Sequence, residues 1–323
     1  MTFEHTVLAT AASGNIGSEL VPQLLSEPNI KLVLPSSNAS RLQSKFQLNV
    51  PNVAVEEGSI KDPTWVQSIL TKHDVDIVFL CLADTDELLT SLNILSAMQR
   101  AGCVQHLIYL SGCGDYISDQ GLKNLMQTCS ALNLLGKATF EQKLAYGNLP
   151  WKSTVLGPSI FFSNDLYAKQ SILQHNMFDT PLGEAGISRV SLRDIALAVR
   201  NIICEPKVDR WAAKKIMIGS KHRYTGTEIV DLWSKATGRQ LKLMGADETS
   251  LTTVENFLVE KMGLGSNWGR NMRLMFEHFA REGFGMSEED YQFQVELLGR
   301  EPEDYAAWVK KEGGSWKDIG DAS

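Results

Sequence analysis

The sequence predicts an α/β fold: a doubly wound parallel sheet followed by a smaller, mostly helical region. Three observations carry this. Short apolar runs alternate with helix-period segments through the first 160 residues, the pattern of parallel strands joined by crossover helices. A glycine-containing turn, "AASGNIG" at 11–17, follows the first apolar run and opens the first helical segment. Beyond residue 163 the alternation loosens, and from 251 the periodicity is helical.

In chain order, "HTVLAT" (5–10) reads as a buried strand and "NIGSELVPQLLSE" as the helix after it, with Leu20, Leu24 and Leu25 at helical spacing. Pro22 is expected to kink that helix or remove one backbone bond. "IKLVLP" (30–35) and "NVAVEE" (52–57) are the next strands. "KDPTWVQSILTKH" opens a helix with Asp62 as N-cap and Pro63 at the first position. "DVDIVFLCLA" (74–83) is the near-continuous apolar run of a strand covered on both faces. The helix over 86–102 has a predicted stripe of Leu88, Leu92, Leu95 and Met98, closed by Gly102. Strand 104–112, helix 130–148 and strand 151–162 complete the first half. The second half reads as a strand end and helix (189–206), a strand (214–220) and a helix begun by Thr225 and Glu228 in capping-box spacing and stopped by Gly238. Helices follow over 251–263, 268–282, 287–298 and 303–312. The expected division is a dinucleotide-binding domain over 1–160 and a substrate-binding region over 161–323, partly interleaved with it.

Composition narrows the function classes. A net charge of −7 with no basic run longer than two residues argues against nucleic acid as a partner. No apolar stretch is long enough to span a membrane, and the N-terminus lacks the basic region of a signal peptide. Five cysteines with no CxxC spacing read as reduced, mostly buried thiols in the cytoplasm, and no metal-ligand spacing occurs.

The 11–17 turn can hold a phosphate. Gly14 lets a pyrophosphate approach the backbone, Gly17 lets the helix pack closely, and the helix N-terminus offers free N–H groups. Ala11 stands where the tight turn calls for a third glycine, at a cost only if φ there is positive. About twenty residues on, an acidic residue would read the ribose 2′-hydroxyl of NAD. No Asp or Glu occurs between Glu27 and Glu56; Ser36, Ser37 and Arg41 are there instead, which suits a 2′-phosphate. The expected cofactor is therefore NADP(H) in preference to NAD(H).

With "VEEGSIKDPTWV", "NILSAMQRAGCVQHLIYLSG", "LPWKSTVLGPSIFFSN", "VSLRDIALAV" and "LLGREPEDYAAWVKKEG" in order behind the "AASGNIG" loop, the chain resembles the NmrA-like proteins, atypical members of the short-chain dehydrogenase/reductase superfamily. The resemblance implies a Rossmann-type domain with NAD(P)(H) along the strand ends. It implies Ala12, Gly14, Asn15 and Ile16 at the pyrophosphate, and Ser36, Ser37 and Arg41 at the adenosine ribose. Cys81, Leu82 and Ala83 would line the fourth strand end, with Ser111, Gly112, Gly157, Pro158 and Ser159 near the nicotinamide. Ser59 stands where many relatives carry an aspartate. The superfamily's Tyr-x-x-x-Lys reads as Asn133 to Lys137, so the lysine is in place and the proton-donating tyrosine is not.

Lys137 is the first catalytic candidate, as ribose anchor and general acid. Tyr116, with Asp115 beside it, is a stand-in for the tyrosine from another loop. The segment "FFSNDLYAKQSILQHNMF" mixes aromatic and polar residues as a pocket wall does: Phe161, Phe162, Asn164 and Tyr167 as substrate contacts, His175 as an acid/base group. Trp268, Phe276, Phe279 and Tyr291 read first as core and second as a roof over that pocket. Two readings follow. One is an enzyme acting on an apolar small molecule, as in secondary metabolism, by reduction or by isomerisation or cyclisation with the cofactor retained. The other is a nucleotide-sensing regulator that binds a partner protein.

Overall fold

The computed structural model describes residues 3–48, 50–82, 85–205 and 210–316. Six strands of the first half, β1 (His5–Ala9), β2 (Ile30–Ser36), β3 (Val53–Glu57), β4 (Ile77–Leu80), β5 (His106–Leu110) and β6 (Lys152–Pro158), lie parallel. A seventh, from the second half, pairs with the β6 edge. In chain order the short pairs β7 (Ile160–Phe161) with β9 (Arg189–Val190), and β8 (Met177–Phe178) with β11 (Lys242–Leu243), stand apart from the sheet, and β10 (Lys214–Ile218) is that seventh strand. The order β10-β6-β5-β4-β1-β2-β3 reverses direction between β1 and β4. This is a Rossmann-type sheet, and the crevice at that reversal is where such sheets take their ligand.

Successive strand residues face opposite layers, so both faces need cover. Val7 and Ala9 join one core with α1 (Asn15–Leu25), α8 (Leu192–Ile203) and α12 (Glu288–Leu298). Leu8, Val78 and Leu80 join the other, under α3 (Pro63–His73), α4 (Glu87–Ala101) and α6 (Leu132–Tyr146). β4 and β5 are buried along their whole length, as their unbroken apolar runs require. Asp76 ties the start of this sheet: it accepts from the Thr6 N–H at 2.6 Å and pairs with His5 at 2.6 Å.

The remaining helices are α2 (Ala39–Phe46), α5 (Asp119–Thr128), α7 (Lys169–His175), α9 (Gly226–Thr237), α10 (Glu248–Glu260), α11 (Ser266–Glu282) and α13 (Tyr305–Gly314). Asp62 and the Thr225–Glu228 box cap as their spacing predicts, and Gly102 and Gly238 close their helices at φ 71°. A second core forms around stacked Trp233 and Trp316 (4.6 Å), with Phe162 and Tyr305. In it the buried Asp165 accepts from Trp233 Nε1 at 3.0 Å, from the Tyr305 hydroxyl and from Arg189.

Several local expectations are corrected. α1 runs unbroken through Pro22, which is exposed, so the cost is a backbone bond and not a break. The α4 residues buried in the core are Ile94, Leu95 and Met98; Leu88 is half-buried against it, and Leu92 is exposed. α2, α5 and the turn-plus-helix over 162–175 stand where loops were expected. α2 and α5 each bury a single side chain, Leu42 and Leu125, too little for a periodic signal. All five cysteines are free thiols, but only Cys113 and Cys129 are fully buried.

Candidate cofactor and acceptor site

The loop after β1 is pinned to the end of β4. Thr10 Oγ1 donates to the Cys81 carbonyl at 2.9 Å and accepts from the Cys81 N–H at 2.8 Å. The chain then turns at Ala11, whose φ is 54°, and the Gly14 N–H closes the turn on the Ala11 carbonyl at 2.9 Å. A Cβ at Gly17 would lie 2.4 Å from the carbonyl oxygens of both Ala11 and Ala12, so only glycine lets α1 sit this close. Gly14, the N-cap, brings no side chain to the first N–H groups of α1. Ala12 and Ile16 are buried under the loop, while Asn15 is exposed at its rim. An open cradle of unclaimed N–H groups at a helix N-terminus fits a pyrophosphate.

The sequence reading missed Lys45. From α2 its Nζ reaches back to the Ser13 carbonyl (2.9 Å) and Ser18 Oγ (2.6 Å), placing a cation on the phosphate loop. The signal was Arg41 and Lys45 at i, i+4 behind the Asn38 cap, hidden because the segment looked like a loop. Beside them Ser36 Oγ is spent on the Asn38 carbonyl (2.9 Å), and Ser37 is exposed. A carboxylate also stands here. Glu57, at the end of β3, accepts from the Ala39 N–H at 2.9 Å, the opening residue of α2. Ser59 is exposed next to it.

Across the crevice, Lys137 Nζ pairs with Glu87 at 2.5 Å, and the Tyr109 hydroxyl donates to the same carboxylate oxygen at 3.0 Å. Both charged side chains are largely shielded, at 16% and 12% exposure. Burial pushes the Cys81 thiol up to about 11, which leaves it uncharged; Leu82 is half-buried, and Ala83 lies outside the described residues. Asn133, at the tyrosine position, has its N–H on Asn271 Oδ1 (3.3 Å) and its side-chain amide on Met275 Sδ (2.9 Å), both from α11. Its Oδ1 is buried without a partner. Between α4, α6 and α11 opens a cavity of about 330 Å³, walled by Leu88, Leu89, Leu92, Leu132 and Trp268, with Lys137 on its polar side. Trp268 thus lines a cavity rather than the core, and the exposed α4 leucines Leu89 and Leu92 have the same use.

Past β5 lies a second polar group. The Ser111 hydroxyl donates to Glu141, which Lys215 of β10 grips at 2.7 and 2.9 Å. Glu141 is wholly buried. The Lys215 ammonium lies 3.8 Å from the centre of the Tyr116 ring. Gly112 lies between Lys137 and Tyr116, each 3.8 Å from where its Cβ would be. Tyr116 is buried, its hydroxyl donates to the Cys113 carbonyl at 3.1 Å, and burial raises its pKa well above the usual phenol value. Burial pulls the Asp115 carboxyl upward, but the Ser118 hydroxyl and the Ser118 and Ile117 N–H groups outweigh it and hold it low; it caps the loop. A Cβ at Gly157 would lie 2.9 Å from the Gly112 carbonyl, and Ser159 Oγ, past Pro158, is buried without a partner.

The loop after β6 is placed differently from the pocket wall its composition suggested. Phe162 packs on Tyr305 at 5.2 Å inside the second core, and Phe161 packs against the first. Asn164 and Tyr167 are exposed, Tyr167 to 73%, and His175 is exposed at the end of α7.

The sequence model of a family described as NAD(P)H-binding matches residues 11–206, and the chain belongs to that family. An NAD(P)H azoreductase of Xenophilus azovorans is 24% identical over 238 residues, 73% of this chain and 75% of that protein. The NADPH complex of an NADPH-dependent quinone oxidoreductase from Escherichia coli superposes with a TM-score of 0.75 at 17% identity, covering 95% of this chain and 99% of that one. NmrA, a negative transcriptional regulator, superposes with a TM-score of 0.72 at 15% identity, covering 99% and 98%. These structures share the fold. Among the described residues, no helix is long and apolar enough to cross a membrane, and no cluster of three His, Cys, Asp or Glu side chains is placed to hold a metal ion.

Proposed function

We propose that the protein is an NAD(P)H-dependent reductase of a flat, largely apolar organic acceptor. The cavity beside Lys137 carries the reading: it is large enough for a small aromatic molecule, with four leucines and an indole set against the polar groups of Lys137, Glu87 and Asn133. The similarity to an azoreductase, and the fold shared with a quinone oxidoreductase, support acceptors with a conjugated N=N or C=O group.

The bound dinucleotide supplies a hydride; the chain's residues do the rest. The N–H groups opening α1, with Lys45 beside them, hold the pyrophosphate. Arg41 favours a 2′-phosphate and Glu57 opposes it; we assign NADPH as the preferred cofactor because the stretch from the end of β2 into α2 itself carries Ser36, Ser37 and Arg41 and no carboxylate. Lys137, its ammonium shared with Glu87 and lying 5.7 Å from the Tyr109 ring centre, anchors a ribose hydroxyl and stabilises negative charge at the acceptor. The leucines of α4 and α6 and the indole of Trp268 give a flat acceptor an apolar surface to lie against.

The test is NADPH oxidation, followed by absorbance, with an azo dye and a quinone as acceptors. Saturable oxidation that falls at least tenfold in Lys137→Met supports the reading. Tight NADPH binding without oxidation by either acceptor would turn it towards a sensor or a non-redox catalyst.

A further inference from the structure

The reductase reading leaves a proton unassigned. Reduction of an azo or carbonyl group needs one proton at the acceptor heteroatom for each hydride, and Asn133 cannot give it. The buried group beyond β5 is not used by the cofactor or by the cavity. Two ionisable groups, Glu141 fully buried and Lys215 with 8% of its side chain exposed, are held together away from water. Such a pair contributes little to stability compared with apolar residues of the same size. The Ser111 hydroxyl, just past the carboxyl end of β5 and next to Gly112, donates to Glu141 and lies on the side of the pair nearest Lys137.

We propose that Glu141 and Lys215 form a buried proton store acting through Ser111, whose hydroxyl supplies the proton in place of the missing tyrosine. It rests on the reductase reading above. As the acceptor heteroatom gains negative charge, the Ser111 O–H bond breaks and its proton passes to that atom. Ser111 Oγ takes the proton of the Glu141 carboxyl, and the pair regains one proton from solvent between turnovers. Per turnover, one hydride and one proton reach the acceptor, and the chain returns to its starting state. Ser111 is the catalytic residue of this relay; Glu141 and Lys215 act through it as positioning residues.

The surroundings fit a transferable proton. Burial raises the Glu141 pKa against the pull of Lys215, and burial lowers that of Lys215 against the pull of Glu141. Both shifts favour the neutral carboxyl–amine pair over the ionised one. The titratable groups around the pair are Lys137 one turn away on α6, Tyr109 on β5, and Cys113, Asp115 and Tyr116 after β5. Tyr109 and Tyr116 are held neutral by burial, which leaves the pair as the group beside Ser111 placed to pass it a proton.

Two readouts test this. The first is infrared: wild type shows a protonated-carboxyl stretching band near neutral pH that Glu141→Gln removes and Ser111→Ala retains. The second is kinetic: Ser111→Ala and Glu141→Gln each lower kcat about 100-fold, within the range of general acid catalysis, with the Kd for NADPH changed less than twofold. Wild type is expected to lose kcat on the alkaline side and Glu141→Gln to lose that limb, which a purely structural loss would not cause. Ser111→Ala leaves the ion pair whole, so it reads the relay even if Glu141→Gln folds poorly. Absence of the band, or Ser111→Ala with kcat within threefold of wild type, overturns the proposal. A wild type that shows the band and binds NADPH but reduces no acceptor overturns the reductase reading and leaves the proton store standing.

Discussion

Ala11 holds φ at 54°, the left-handed region that costs an L-residue about 1–2 kcal/mol. Ala11→Gly is therefore expected to raise unfolding stability by about 0.5–1 kcal/mol, after the entropy glycine loses on folding, read by thermal or urea denaturation. Gly17→Ala is expected to do the reverse and to abolish NADPH binding in a titration, because its methyl would fall on two backbone oxygens. Glu57→Gln, which removes the carboxylate at the opening of α2, is expected to shift the ratio of NADH to NADPH dissociation constants about fivefold towards NADPH, roughly 1 kcal/mol for an exposed charge. The two glycines and the absent tyrosine were legible because each is a residue at a fixed offset in a local motif. Lys45 and Glu57 were not: one reaches back 32 residues to Ser13, and the other back 18 residues from a neighbouring strand to Ala39.

β5 carries a titration signature. His106, buried with its Nε2 2.8 Å from Thr154 Oγ1, is pushed down to about 4, chiefly by burial. Unfolded, it titrates near 6.5, so between pH 6.5 and 4 the unfolded chain binds the extra proton and stability falls as pH falls, by about 3 kcal/mol at the limit. His106→Gln is expected to flatten that acid limb in denaturation curves taken at pH 7 and pH 4.5. His5 acts in the opposite sense. Its hydrogen bond to Asp76 raises its pKa, so its stabilisation is full below pH 6.5 and lost as pH rises through the folded value. α11 gives the other test at this scale: Trp268→Ala is expected to raise the acceptor KM about tenfold, the scale of one aromatic contact, and to leave NADPH affinity unchanged. The elements read best from sequence, α4 and α9, have long apolar faces and a closing glycine each, and α9 also a capping box. α2 and α5 bury one side chain each, so their stability comes from Asn38 and Ser118 capping and from docking, which periodicity does not record.

Across the whole molecule, the order of alternation was enough to reveal the parallel sheet, because each crossover is local in sequence. The cavity was not legible. It depends on α11 packing against α6, and the contact between Asn133 and Asn271 spans 138 residues. The same distance in sequence hid the Glu141–Lys215 pair, 74 residues apart. The central claim, that one crevice holds a dinucleotide at the α1 cradle and an aromatic acceptor beside Lys137, is tested most directly by stopped-flow absorbance of the NADPH-loaded protein mixed with a quinone. The account predicts loss of the NADPH absorbance with a rate that saturates in quinone and falls in Trp268→Ala. NADPH that stays bound and unoxidised at every quinone concentration would contradict it.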